Sequence, residues 1–345
     1  MARLLRVVHC GLGPIGQGIA RLALETEGLK LVGAVDISPD KAGKDLGVVL
    51  GLPKKLRIKV APDAARLLRK TKADVAILST TSSIRDVKSQ LAALISKGVS
   101  VVSTCEEMAF PTPAHQSAFR DLDRLARAKK VSILATGVNP GFAMDALALM
   151  LTAPCASVNR VSVTRVVDAA TRRLPLQRKV GACLNLNQFR RAITEGSVRH
   201  VGLLESVHMI AAALGWSLDR VEETIEPAIA PRDLDTDYLR IPAGAAAGVN
   251  QYARGYRKGE LAVSLDLQMY VGVESPRDHV LVDGIPPIDM TIAGGVAGDM
   301  ATAAIVINCI PKLMAARPGF LTMRDLALVH RFSALELKTL PAKKR

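Results

Sequence analysis

Gly11, Gly13 and Gly16 stand in G-x-G-x-x-G register within RVVHCGLGPIGQGIA, directly after an apolar run and at the mouth of a helical pattern. The first glycine allows a tight turn, the second lets the backbone approach a pyrophosphate, and the third permits close packing of helix on strand. Pro14 and Ile15 complete the loop and open the helix, whose N-terminus offers free N–H groups and a positive dipole to phosphates. A second apolar run, LVGAVD, ends on Asp36, at about the 20-residue spacing expected of a ribose-binding carboxylate. The chemistry implied is capture of a dinucleotide. Asp36 accepting hydrogen bonds from the adenosine 2′- and 3′-hydroxyls favours NAD, because the 2′-phosphate of NADP would meet a like charge. Ser38, Lys41 and Lys44 follow closely and would accommodate that phosphate if the aspartate turned aside, so the cofactor is NAD or NADP.

Two further strand ends carry polar groups. LSTTSS places Ser79, Thr80 and Thr81 beyond a buried run, where the crevice of an open parallel sheet takes its ligand, so they are candidates for the cofactor's ribose and nicotinamide side. The alternative is helix capping by Ser82 or Ser83. VSVVSTCEEMAFP ends on Glu106 and Glu107. A carboxylate there can hold an ammonium or iminium beside a nicotinamide, since charge complementarity is strongest where water is scarce. The alternative is a solvated turn or helix start. Adjacent side chains point in different directions, so one glutamate is expected to face the site and the other to be structural.

The elements that must position these residues follow from periodicity. Up to about residue 140, short β-branched runs alternate with helical patterns, as a parallel sheet with crossover helices requires. Beyond it come a helix near 144–152, the β-run VNRVSVTRVVDA, a loop, helices near 186–194 and 205–214, and the alternating segments LAVSLDLQMYVGV and HVLVDGIPPIDMTIAG, the latter a hairpin turning at Pro286 and Pro287. The fold class is α/β. An N-terminal Rossmann domain with a doubly wound parallel sheet (1–140) precedes an α+β domain with an open, mostly antiparallel sheet (141–297), and a strongly apolar C-terminal helix packs back at the domain seam ahead of the basic tail AKKR (298–345).

Composition limits the partners. The net charge of +14 invites a nucleic-acid reading, but Lys and Arg are scattered over helix faces and aromatics are only 3% of residues, which argues against it. The charge serves better to steer an anionic ligand. No apolar run is long enough for a membrane span, and the glycine turn at Gly11 cuts the first one short of a signal peptide, so a cytoplasmic location is expected. Five cysteines without a C-x-x-C pair read as buried free thiols, with no metal site.

Taken together, GLGPIGQGIA, STCEEMAFP, TGVNPGFAMD, VVDAATRRLPLQRKVGACL, RHVGLLESVHMIAAALGW and GGVAGDMATAAIVINCIPKLMAARPGFLTMRDL resemble the dihydrodipicolinate-reductase-like family along nearly the whole chain. The similarity is greatest to the branch that contains 2,4-diaminopentanoate dehydrogenase and the native amine dehydrogenases. The resemblance implies interconversion of an amine with a ketone or aldehyde plus ammonia, using NAD(P)H. It assigns the amine-holding glutamate to Glu106 first and Glu107 second, places Asn139 and Phe142 at the nicotinamide and substrate pocket, and brings His200 as a polar pocket candidate whose alternative is a structural histidine. It also implies a homodimer through the C-terminal sheet. True dihydrodipicolinate reductases carry a paired-histidine segment with a nearby lysine, and no His-His pair occurs here.

Substrate choice stays open at this level. Arg172, Arg173 and Arg178 surround the apolar Leu174, Pro175 and Leu176 in what reads as a loop over the site. The arginines suit a substrate carboxylate, cofactor phosphates, a dimer contact or plain solvation, and an apolar pocket including Leu174 suits small aliphatic carbonyls. Three rivals remain: 2,4-diaminopentanoate dehydrogenase activity proper, an ammonia-independent carbonyl or semialdehyde reductase, and a dinucleotide sensor without chemistry.

Overall fold

The computed structural model describes residues 4–331 and 333–338, and the AKKR tail lies outside them. The chain forms two units, one of residues up to 142 and from 297 onward, the other of 143–296.

In the first unit the order is β1 (Leu5–Cys10), α1 (Pro14–Glu25), β2 (Leu29–Val35), α2 (Leu46–Val49), β3 (Val60–Ala61), α3 (Ala64–Lys70), β4 (Val75–Leu78), α4 (Ile84–Ser96), β5 (Ser100–Ser103), α5 (Gln116–Ala128) and β6 (Ser132–Ala135). Strands β4, β5 and β6 are buried along their whole length, which is why they read as continuous apolar runs without alternation. The helices show the complementary pattern. Phe119, Leu122 and Ala126 bury one face of α5 at spacings of three and four, while its other face stays charged.

The second unit holds α6 (Ala146–Leu151), β7 (Ser157–Asp168), α7 (Leu174–Lys179), α8 (Leu186–Thr194), α9 (Leu203–Ala213), β8 (Arg220–Ile229), β9 (Leu234–Asp235), β10 (Arg240–Ile241), β11 (Ala246–Arg257), β12 (Glu260–Tyr270), β13 (Arg277–Ile285) and β14 (Ile288–Ala293). Its large sheet has the order β14-β13-β7-β12-β11-β8, with β7 and β12 the parallel pair. Val249, Gln251 and Ala253 alternate inward along β11, and a Cβ on Gly255 of the same face would touch Val207 of α9, so this is the helix-covered face. An ion pair is buried within the unit. The Arg165 guanidinium lies 2.6 Å from Asp278, its second nitrogen donates to the Val296 carbonyl at 2.7 Å, and Asp278 accepts the Val296 N–H at 2.7 Å.

The chain then returns to the first unit as α10 (Gly298–Ala315) and β15 (Gly319–Leu321). The seven-stranded sheet is completed in the order β15-β6-β5-β4-β1-β2-β3, parallel throughout. Helix α10 packs against α1 and β5, burying Val306, Ile307, Ile310 and Leu313.

Some expectations change. Leu174 to Lys179, expected in a loop, form α7, with Pro175 in the first turn where its missing N–H costs nothing. Strands β8 and β11 lie where no strand was predicted. In β8, glutamates and Pro227 mask the alternation of a strand at the sheet edge. All five cysteines are free thiols, but Cys155 and Cys183 are only partly buried. Among the described residues no helix is long and apolar enough to cross a membrane, and no cluster of His, Cys, Asp or Glu is placed to hold a metal ion.

Candidate functional site

The three glycines of the loop are glycine for three different reasons. Gly11 has φ +92°, and a Cβ there would overlap the Ser79 carbonyl. At Gly16 a Cβ would run into the Gly11 carbonyl. Gly13 is different: its φ is −64°, ordinary for any residue, and a Cβ would meet nothing within 4 Å. Neither the backbone nor its neighbours require glycine at 13, so the room in front of it is the feature, and that room is the cradle a pyrophosphate needs. Gly13 caps α1 without a side-chain hydrogen bond, which leaves the first-turn N–H groups to a ligand.

Asp36, one residue past β2, is held in place. Its Oδ2 accepts the Leu12 N–H at 2.7 Å, its Oδ1 accepts the Ser38 N–H at 2.9 Å, and Lys41 Nζ lies 3.6 Å from Oδ2. Each carboxylate oxygen still has a lone pair for a ribose hydroxyl. The Ser38 hydroxyl turns to Asp40, and Lys44 is exposed.

At the end of β4 the hydroxyls have partners within the unit. Ser79 Oγ donates to the Gly11 carbonyl at 2.9 Å, Thr80 Oγ1 to Gln90 at 3.1 Å, and Thr81 Oγ1 accepts the Ser83 N–H at 3.2 Å. Sequence reasoning missed His9. Fully buried in β1, it sets Nε2 2.9 Å from the Gly11 carbonyl and 3.3 Å from Ser79 Oγ. Burial above all pushes its pKa down to about 4, so the ring is neutral.

The glutamate pair divides. Glu107 donates its N–H to the Ser82 carbonyl at 3.2 Å, and its Oε2 accepts the Ile84 N–H at 2.8 Å, with His115 Nε2 3.8 Å away. Glu107 thus caps α4 from the end of the neighbouring strand β5. Ser83 occupies the cap position but makes no side-chain cap bond, so in place of the serine cap offered as the alternative a carboxylate serves the helix. Glu106 is half-buried at the start of the 3₁₀ turn Glu106–Met108 that follows β5. Burial, then the charges of both glutamates, push the Cys105 thiol up.

Past β6 the chain reaches Asn139, which is 8% exposed. Neither Oδ1 nor Nδ2 of its amide has a hydrogen-bond partner. A buried amide with donor and acceptor both unmet carries a free-energy cost that a ligand with one of each, such as a carboxamide, would relieve. The glycine cradle, Asp36 and this amide fit a nicotinamide dinucleotide. Phe142, half-buried, ends the first segment of the first unit.

His200 and Leu174 belong to the second unit. The Gln251 side chain pins the His200 backbone by two hydrogen bonds of 2.8 Å, and Gln251 Nε2 also donates to Glu223 at 2.9 Å. Burial, then the charges of Lys179 and Arg165, push the His200 pKa down to about 3 against a backbone contact with Val201 that raises it. Leu174 is half-buried at the start of α7, whose fully buried Gln177 donates to the carbonyls of Ala170 and Arg172.

Comparison with known proteins matches residues 5–107 to the dihydrodipicolinate reductase N-terminus and residues 142–339 to the 2,4-diaminopentanoate dehydrogenase C-terminal domain. A 2,4-diaminopentanoate dehydrogenase of Acetoanaerobium sticklandii is 33% identical over 334 residues, covering 93% of each chain. An amine dehydrogenase of Streptomyces virginiae is 22% identical, over 94% of this chain and 97% of its own. The solved structure of an amine dehydrogenase from Mycobacterium smegmatis shares the fold, with a TM-score of 0.83 at 23% identity over 94% of this chain and 97% of that one.

Proposed function

The chain belongs to the 2,4-diaminopentanoate dehydrogenase family, and from that membership we propose that it is an NAD(P)-dependent amine dehydrogenase, joining a small ketone or aldehyde reversibly with ammonia. What supports the reading is the family membership together with the place of Glu106, half-buried at the turn that ends β5, while Glu107 is engaged at the α4 terminus. The nicotinamide supplies a hydride when bound.

The protein's own part begins with binding. The α1 N-terminus and the open face of Gly13 would hold the pyrophosphate, Asp36 the adenosine ribose, and the Asn139 amide the carboxamide. Ammonia and the carbonyl condense to an imine with loss of water. Glu106 holds the protonated iminium by charge and stabilises it most where water is excluded. In the reverse direction it accepts the proton released from the substrate ammonium, so that the free amine can give up hydride. Phe142, in the same unit as Glu106, offers apolar surface to the substrate. The protein works as a homodimer associated through the six-stranded sheet.

The test is oxidation of NADH and NADPH with a panel of small aldehydes and ketones, each with and without ammonium. Turnover that needs both carbonyl and ammonium is expected. Turnover without ammonium would make the protein a carbonyl reductase, and dinucleotide binding with no turnover would make it a sensor. A second reading, that the amine is 2,4-diaminopentanoate itself, is favoured by the family match over residues 142–339 and by the 33% identical relative. Reduction of NAD(P)⁺ with that diamino acid, and with no simple amine, would select it.

A further inference from the structure

The peptide joining Gly11 to Leu12 is held at both ends. Its carbonyl oxygen receives His9 Nε2 at 2.9 Å and Ser79 Oγ at 2.9 Å, while its N–H donates to Asp36 Oδ2 at 2.7 Å. In a trans peptide these two groups point in opposite directions, so fixing one fixes the other. The carbonyl is also confined by α1, since a Cβ at Gly16 would overlap it. It is turned into the sheet, where a buried acceptor without a donor is costly.

His9 is the deepest of these groups, at 0% exposure on the central strand β1. A neutral imidazole has one N–H, and a carbonyl can only accept, so the proton sits on Nε2 and Nδ1 is left bare. Nδ1 is indeed buried without a partner. An apolar residue would fill the same space without that orphaned nitrogen, so what the imidazole adds is the donor aimed at Gly11.

We infer that His9 is a positioning residue for dinucleotide selection: by anchoring the Gly11–Leu12 peptide it aims the Leu12 N–H, and through it the Asp36 carboxylate, at the adenosine ribose. The inference rests on the dinucleotide reading of the site and deepens it. His9 touches no cofactor atom in this role. Its loss should act on the discrimination between a ribose 2′-hydroxyl and a 2′-phosphate, because that is what a fixed carboxylate decides.

The experiment measures dissociation constants of NADH and NADPH by fluorescence titration for the wild type and for His9→Gln, His9→Asn and His9→Leu, with thermal unfolding of each. Gln can present an amide N–H near the position of Nε2, whereas the shorter Asn cannot and Leu has no donor. The expected result is that Gln keeps the wild-type NADH:NADPH affinity ratio, while Asn and Leu shift it about tenfold toward NADPH. An unchanged ratio in Asn and Leu would overturn the inference, as would equal shifts in all three. If Leu fails to unfold cooperatively, the Gln–Asn contrast decides alone. No binding of either dinucleotide by the wild type would instead overturn the proposed function on which the inference stands.

Discussion

Glu107 accepts the backbone N–H of Ile84 at 2.8 Å, so the second carboxylate of the Glu106–Glu107 pair serves the terminus of α4. A side-chain acceptor at a helix N-terminus contributes about 1 kcal/mol, and a negative charge there adds to it. Glu107→Ala is therefore expected to lower stability by about that amount in urea denaturation, with turnover reduced modestly. Glu106→Ala should do the opposite, lowering kcat by about 10²-fold or more with little change in NADH affinity. Interchanged phenotypes would reverse the two roles.

Gly13→Ala should separate stability from binding. The new Cβ meets nothing within 4 Å and φ is −64°, so the change removes unfolded-chain entropy without strain. The apo protein should be unchanged or stabilised by up to about 1 kcal/mol, while NADH affinity falls about 10²-fold as the methyl enters the pyrophosphate cradle. Gly16→Ala, whose Cβ would strike the Gly11 carbonyl, should instead destabilise the fold itself. Calorimetry of both apo variants tests the contrast.

Asn139→Leu removes a buried amide whose two polar atoms have no partner. Replacing unsatisfied polar groups by an apolar side chain of similar size is neutral or stabilising, so the apo melting temperature should hold or rise. Affinity for NADH should fall about tenfold, as for the loss of a hydrogen-bonded contact. A lower melting temperature with intact binding would mark Asn139 as structural.

These residues were legible to different degrees, for physical reasons. The glycine register and Asp36 could be read because strand, turn and helix are contiguous and each leaves its own periodicity. The division between Glu106 and Glu107 could not, because it depends on Ile84, 23 residues away, on a neighbouring element. His9 reads as one more interior strand residue; that its Nε2 meets the carbonyl of Gly11, two residues on, depends on the left-handed turn at that glycine. The Arg165–Asp278 pair spans 113 residues, and both partners sit in strands whose alternation predicts apolar side chains at inward positions. Parallel strands buried on both faces were the most readable elements. The edge strand β8, with Glu222, Glu223 and Glu226 along it, was the least.

Acid should destabilise the protein through its buried neutral histidines. The His9 pKa is lowered to about 4 in the folded state against an ordinary value of 6.5. Between those values the unfolded chain binds a proton that the folded chain does not, so unfolding becomes easier as pH falls from 6.5 toward 4. The slope from one such group reaches at most about 1.4 kcal/mol per pH unit. His9→Gln should flatten the dependence of denaturation free energy on pH in that window and leave it unchanged above pH 7. Equal slopes in the two proteins would count against a buried neutral His9.

Lys41 lies 3.6 Å from Asp36 Oδ2, at the edge of the carboxylate that would meet the ribose. With a ribose hydroxyl bound, the ammonium screens the carboxylate; with a 2′-phosphate bound, it becomes the phosphate's own counter-charge. Lys41→Ala should therefore weaken NADPH more than NADH, changing the ratio of their dissociation constants by about tenfold, the scale of one charge-assisted contact. Lys44→Ala, at an exposed position, should weaken both slightly and equally. Titration of the two variants with both dinucleotides, repeated at high salt, distinguishes a specific phosphate contact from general attraction to a basic surface, because only the latter fades for both ligands together.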